Sequence, residues 1–351
     1  MSEPLPRLLN FADQAMTFPD VDRSPPFPPG LVWPTLRLHN AAEIQIVAGI
    51  ARLLADDLAA ADWPARATAR TLKLRRIVDG VVAGLVENGQ HLAADAITKA
   101  YRQVVPDRRP DGLIERLLLA LREFWEQIRA TVMRLWSQAL AAGQADDTRP
   151  VAVQRVLDRA ADRGLGPRGG LGSYAETVVG DAVHGAGTDA FTQALLAQGG
   201  DLVIVTESPH PCPICLPWEH KVLSVTGTDP DHPALSVAQE AGLFHRNCRH
   251  TLFAWAPGFQ WPPNIVKHLR GTYEQEQRQR QIEANIRRWK RREAAALDDL
   301  AAARSRKKIR EWQAAMREHI KATGLQRSLM RERTDFERTP PKRHALAGPP
   351  R

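Results

Sequence analysis

The feature that most restricts how this chain can fold is the placement of its thiols. All three cysteines fall in one segment, as Cys212-x2-Cys215, a 29-residue interval, and then His245-x2-Cys248. Two close pairs of soft ligands can close a tetrahedron around zinc, and the residues between them then form a loop-and-helix excursion whose ends must meet. The x2 spacing lets both thiolates of the first pair point at one ion from a single turn. Pro211, just before that turn, and Pro213, within it, restrict its backbone and lower the entropy lost in ordering it. His250 offers a second imidazole: it either replaces His245 as fourth ligand or stands behind the ligands as a hydrogen-bonding partner. His210 and His220 are further imidazoles nearby. An odd cysteine count argues against a disulfide framework and leaves metal binding as the natural use. The competing use is as small apolar residues packed beside a core strand.

A closed Cys3His site has no position for water, so the zinc expected here is structural. Glu219 is close enough in sequence to be considered as a catalytic base. Thiolate-rich coordination, however, makes zinc a poorer Lewis acid, and no nucleophile elbow accompanies it. Ser208 with His210, and Ser224 with Asp229, read as turn and cap residues.

The 351 residues are 43% hydrophobic, enough for a substantial core and two or three structural units. No run approaches the roughly 18 apolar residues of a spanning helix, so no membrane association is expected. The start "MSEPLPRLLNFADQAM" lacks the basic-then-apolar order of a secretory signal, and a reducing cytoplasm is the expected site of synthesis. Lys and Arg number 48 against 40 Asp and Glu, a formal net charge of +8. That balance suits an anionic partner, either nucleic acid or an acidic protein face, and equally suits a solvated basic surface.

The reading along the chain is mainly α with a small α+β zinc-stapled module. Residues 1–36 are proline-rich and read as an extended arm. Residues 37–165 read as a helical bundle, the first helix capped by Asn40. A second stretch, Pro64 to Val104, is expected to break or bend at Gly89. A third, after Pro110, carries Leu117, Leu121, Phe124, Ile128, Val132, Leu135 and Ala139 on one stripe, with Trp125 and Trp136 beside it. The glycine-rich "GLGPRGGLGS" lacks the Walker ending and reads as a hinge, after which Ser173 and Glu176 form a capping box. Residues 166–265 form the module, with strands in "DLVIVTES", "HKVLSVT" and "HTLFAWA" and a small helix in "PALSVAQEAGLF". Residues 266–325 read as a basic helical hairpin capped at "LDDL" and stopped by Gly324, and 326–351 as a disordered basic tail. Arg287, Arg288, Lys290, Arg291, Arg292, Arg306, Lys307, Lys308 and Arg310 are the candidates for contact with nucleic acid.

"SYAETVV", then "DLVIVTESPHPCPICLPWEHKVLSVTG", then "LSVAQEAGLFHRNCRHTL" resembles the phage minor capsid proteins, relatives of the Mu-type head-morphogenesis proteins. The downstream "YEQEQRQRQIEANIRRWKRREAAALDD" and "KIREWQAAMREHI" resemble that family's later helices. Carried over position by position, Cys212, Cys215, His245 and Cys248 match the family's metal ligands. Trp218, Glu219 and Lys221 match its post-CxxC segment, and Arg249 and His250 its closing motif. The helix after Tyr174 departs from the family pattern, reading "VVGDAVHGAGTDA". The resemblance implies a virion component rather than an enzyme. It would be made in the host cytoplasm and placed in the capsid interior or at the portal vertex, in contact with portal and major capsid proteins; the basic helices themselves suit packaged double-stranded DNA and equally a solvated or portal-facing surface. The alternatives from the residues alone are a zinc-dependent DNA-binding protein and a zinc-dependent nuclease. The hydrophobic, acidic loop between the ligand pairs is a poor recognition helix for the first of these.

Overall fold

The computed structural model describes residues 29–105, 107–144, 148–167, 169–246, 248–259 and 271–334. Most of the expected N-terminal arm and most of the expected tail therefore lie outside the described residues. The arm's last part is not extended: Pro29–Leu31 is a 3-10 turn, and helix α1 runs Trp33–Ala55. Pro34 sits in its first turn, where a missing N–H leaves nothing unsatisfied. Asn40, expected as the cap, lies inside the helix instead, buried, with its Nδ2 donating to the Arg333 carbonyl at 3.2 Å.

Helices α2 (Trp63–Ala69), α3 (Thr71–Gly84) and α4 (Gln90–Arg102) follow, α3 running into α4 through a π-helical turn at Leu85–Gly89. Gly89 thus adjusts the helix without ending it. A Cβ there would stand 2.8 Å from the Trp125 ring, so glycine is what lets the indole approach. The long helix α5 (Asp111–Ala142) buries the stripe expected of it. Trp63, Trp125 and Trp136 are all fully buried. Each indole N–H has an acceptor: the Leu54 carbonyl at 2.8 Å, His39 Nε2 at 2.9 Å and Thr71 Oγ1 at 3.1 Å. The cost of burying these polar tips is thereby met.

Helices α6 (Arg149–Arg163) and α7 (Leu171–Ala197) flank the glycine-rich loop. That loop is a wrapped turn, not a hinge. Gly164, Gly169 and Gly170 all have positive φ, and a Cβ on Gly164 would meet the Gly170 backbone at 2.4 Å. The turn closes around Glu43 of α1, whose Oε1 accepts the Leu165 N–H at 2.6 Å and whose Oε2 lies 3.5 Å from Arg291. Burial pushes the Glu43 carboxyl up, opposed by Arg291. Ser173 does not cap α7, which already begins at Leu171. Ser173 Oγ instead accepts from Arg287 at 3.3 Å, and Glu176 pairs with Arg331 at 3.1 Å.

A three-stranded antiparallel sheet of order β2-β1-β3 follows, from β1 (Leu202–Val205), β2 (Val222–Ser224) and β3 (Leu252–Ala254). The small helix α8 (Leu235–Glu240) lies in the excursion between β2 and β3. Helices α9 (Tyr273–Ala294) and α10 (Asp299–Thr323) form the expected hairpin around Ile282, Ile286 and Met316, with Trp312 and Ile320 against them. Asp298 caps α10, and Gly324 ends it with φ 71°.

The chain after Gly324 is not loose in its described part. Helix α11 (Leu329–Glu332) lies against α1 and α9, with Glu332 buried and held by Arg327 at 2.6 Å. One large core joins α1 to α7, and a smaller one lies under the sheet. Helix α7 serves both: Val179, Val183 and Ala190 pack into the first, Leu195 into the second. The protein is mainly helical with one small sheet. Among the described residues no helix is long and apolar enough to cross a membrane.

Candidate metal centre

The sheet register explains how thiols so far apart in sequence meet. Strand β1 ends and β3 begins at the same edge of the sheet, where Val205 faces Leu252. The chain leaving β1 and the chain entering β3 therefore start side by side. Thr206 and Thr251 extend the pairing: the Thr206 N–H donates to the Thr251 carbonyl at 2.9 Å, and the two hydroxyls lie 3.2 Å apart. Beyond them, Cys212–Cys215 folds as a tight turn, with Cys215 N–H donating to the Cys212 carbonyl at 3.1 Å and reaching the Cys212 sulfur at 3.4 Å. On the other arm, Cys248 N–H donates to the His245 carbonyl at 2.8 Å. Phe244, with φ 62°, bends the chain into that second turn.

Two triads result, Cys212–Cys215–His245 and Cys215–Cys248–His250, each with its ligand atoms within 4.8 Å of one another. They share Cys215, which is fully buried. Cys215 and Cys248 place their sulfurs 3.6 Å apart. Two thiolates on one tetrahedral zinc stand roughly 3.8 Å apart, so this pair already has the spacing of co-ligands. Cys212 Sγ lies 2.7 Å from His245 Nε2, a direct hydrogen bond and closer than two ligands on an ion would sit.

Both histidines turn a nitrogen lone pair toward the sulfurs. His245 Nδ1–H donates to the Arg246 carbonyl at 2.8 Å, which leaves Nε2 facing Cys212. His250 Nε2–H donates to Glu219 Oε1 at 2.8 Å, and its Nδ1 faces Cys248 Sγ at 3.4 Å. A carboxylate behind an imidazole is the usual way a ligating histidine is oriented. Glu219 is itself fixed by the Ser208 N–H at 2.8 Å, and the His250 carbonyl accepts from His184 Nε2 at 2.7 Å.

Cys248 is drawn down to about 4, first by its hydrogen bond from Cys215 and then by His250, while Cys215 is pushed far up by the same contact with Cys248. His250 rises to about 9: burial opposes its charge, but Cys248 and Glu219 together outweigh burial.

Residues 150–321 match the family of phage minor capsid protein 2. Over that region the chain is similar to this family. No curated protein and no solved structure matches it. The phage minor capsid proteins are structural components of the head, and the matched region contains α6 to α9, the whole Cys/His cluster and most of α10.

The remaining expected positions are distributed as follows. Trp218 ends a 3-10 turn at Leu216–Trp218 and packs on the small core. Lys221 is exposed, its carbonyl accepting the Val205 N–H at 3.1 Å. Arg249 pairs with Glu276 of α9, tying the closing motif to the next helix.

The basic residues divide sharply. Arg287 and Arg291 are buried, Arg288 and Arg292 hold Asp162 of α6 at 2.7 and 2.6 Å, and Lys290 Nζ donates to the Glu332 carbonyl at 2.8 Å. Trp289 lies under the Arg292 guanidinium, 4.8 Å from its ring centre. This cluster faces inward and joins helices. Arg306, Lys307, Lys308 and Arg310 are exposed on α10.

Two functional contacts escape sequence reasoning. His184 lies in the stretch that departs from the family pattern, and no spacing relates it to a residue 66 positions later. Glu219 is legible as a carboxylate near the thiols, but its role as a clamp on His250 depends on the fold.

Proposed function

We propose that this chain is a structural part of a phage head, stationed at the portal or the capsid interior, with its Cys/His module closed by one structural zinc. The observation that carries this reading is the shared Cys215: two triads of soft donors converge on one buried sulfur at co-ligand spacing. Cys212, Cys215 and Cys248 would hold the ion with His245 or His250 as the fourth ligand. A zinc there supplies cross-linking of two chain segments and no reaction centre.

The position of Glu219 supports a static role. The carboxylate that a zinc hydrolase would need as its base is already engaged by the Ser208 amide and by His250. The exposed cations of α10 suit contact with packaged DNA. Arg306 and Lys308 form salt bridges with Glu293 and Glu311, and Lys307 also lies within the field of Glu311. Such binding would weaken steeply with added salt, because each phosphate contact releases a counterion.

The test is composition of purified particles. Mass spectrometry of heads is expected to find the chain travelling with portal and major capsid proteins. A chain that stays in the soluble fraction while complete heads form would overturn the reading.

A further inference from the structure

A groove of about 630 Å3 lies between α5 and α6, away from the metal module and on a different element from the α10 cations. Arg134 of α5 and Arg159 and Arg163 of α6 line it, all three exposed. No carboxylate stands among its lining residues. The acids of α6 serve another side of the helix, where Asp158 and Asp162 meet Arg292 and Arg288 of α9. Among the described residues Arg134 donates to the Thr131 hydroxyl at 3.2 Å. The floor beneath these cations is apolar, formed by Leu135, Val156 and Leu165.

Three guanidiniums line one groove, and among the described residues no carboxylate lines it with them, so the groove is positively charged. Cations lining an apolar floor suit a ligand that is anionic at its edges and apolar between. We propose that this groove binds an acidic peptide segment of a partner protein, with carboxylates to meet the arginines and a large apolar side chain to cover the floor. Guanidinium forks pair with carboxylates bidentately, which supplies direction as well as charge. Duplex DNA presents sugar and phosphate at such a surface and has nothing to place on Leu135 and Val156. A nucleotide would need a platform for its base, and the lining has no aromatic ring. That the partner is another head protein rests on the function proposed above; the chemistry of the groove does not.

The experiment uses the full chain and fluorescence anisotropy. The probe is a labelled peptide of about a dozen residues, alternating leucine pairs with Asp-Glu pairs. Its charge-reversed lysine twin, a short DNA duplex and pyrophosphate serve as competitors. Saturable binding of the acidic probe is expected, weakened about tenfold or more by Arg159→Glu with Arg163→Glu, and again by Arg134→Glu alone. Lys307→Glu with Lys308→Glu on α10 should leave it unchanged. Circular dichroism confirms that each variant is folded. The proposal is overturned if the acidic probe does not bind, if its lysine twin binds equally, or if the groove substitutions have no effect. It is also overturned if duplex DNA or pyrophosphate displaces the probe from these arginines at lower concentration than the unlabelled peptide. Absence of the chain from particles would remove the proposed function and leave this result standing.

Discussion

Arg291 shows how a residue read from composition as surface charge becomes a core element. It is 4% exposed, donates through Nε to the Ala161 carbonyl at 2.8 Å, and faces Glu43 inside the glycine-rich turn. Removing it leaves a buried carboxylate without its cation. Arg291→Ala should therefore cost about 3–5 kcal/mol in urea unfolding. Glu43→Gln in the same chain should recover part of that loss, which a simple cavity effect would not allow. His39 gives the matching pH dependence. Its Nδ1–H donates to the Thr35 carbonyl at 2.8 Å and its Nε2 accepts from Trp125, so a second proton has no place, and burial lowers its pKa to about 4. The unfolded chain binds that proton below about 6.5. Its contribution is present above that value and is lost as pH falls toward 4. The predicted loss between pH 7 and pH 5 is about 2 kcal/mol, absent in His39→Gln. Equal pH slopes in the two proteins would contradict this. Apart from Thr35, one turn before His39 in the same helix, none of these partners was legible in the sequence, because each is supplied by a different helix.

Periodicity located the helices well, since a buried stripe such as Leu117 to Ala139 leaves a 3.6-residue trace whatever it packs against. Their ends were read less well. Asn40 and Ser173 have the chemistry of caps, yet tertiary contacts use them: Asn40 holds the C-terminal segment, and Ser173 accepts from Arg287. The close approach of α1 and α7 gives a clear test. A Cβ on Gly172 would fall 2.0 Å from Asn40 Oδ1, whereas Gly180 in the same helix has nothing within 4 Å. Gly172→Ala should lower stability by about 1–3 kcal/mol. Gly180→Ala should raise it by about 0.5–1 kcal/mol through helix propensity alone. Thermal melts in which both changes act alike would refute the packing described. The strands were legible as apolar runs. Their order was not, because which strand lies in the middle is decided by pairing across a long interval.

For the molecule as a whole, the Cys/His module is a small sheet mounted on a large helical body through α7, with Arg249–Glu276 as a second tie to α9. Loss of metal should therefore act locally. Cys212→Ser or chelation should expose β1, β2 and β3 to hydrogen exchange while α1 to α6 stay protected. Uniform loss across both regions would show the helical body to depend on the staple. The grouping of the three cysteines with His245 and His250 was legible, being a local spacing. The inward turn of Arg287 to Arg292 was not, since a run of cations carries no mark of which side meets Asp162. The claim on which the account turns is that soft donors around Cys215 clamp one dication. X-ray absorption at the zinc edge, on protein purified from native material, tests it most directly. About one zinc per chain with a shell of three sulfurs and one nitrogen is predicted. Fully folded protein without metal, or a shell containing an exchangeable water, would contradict it.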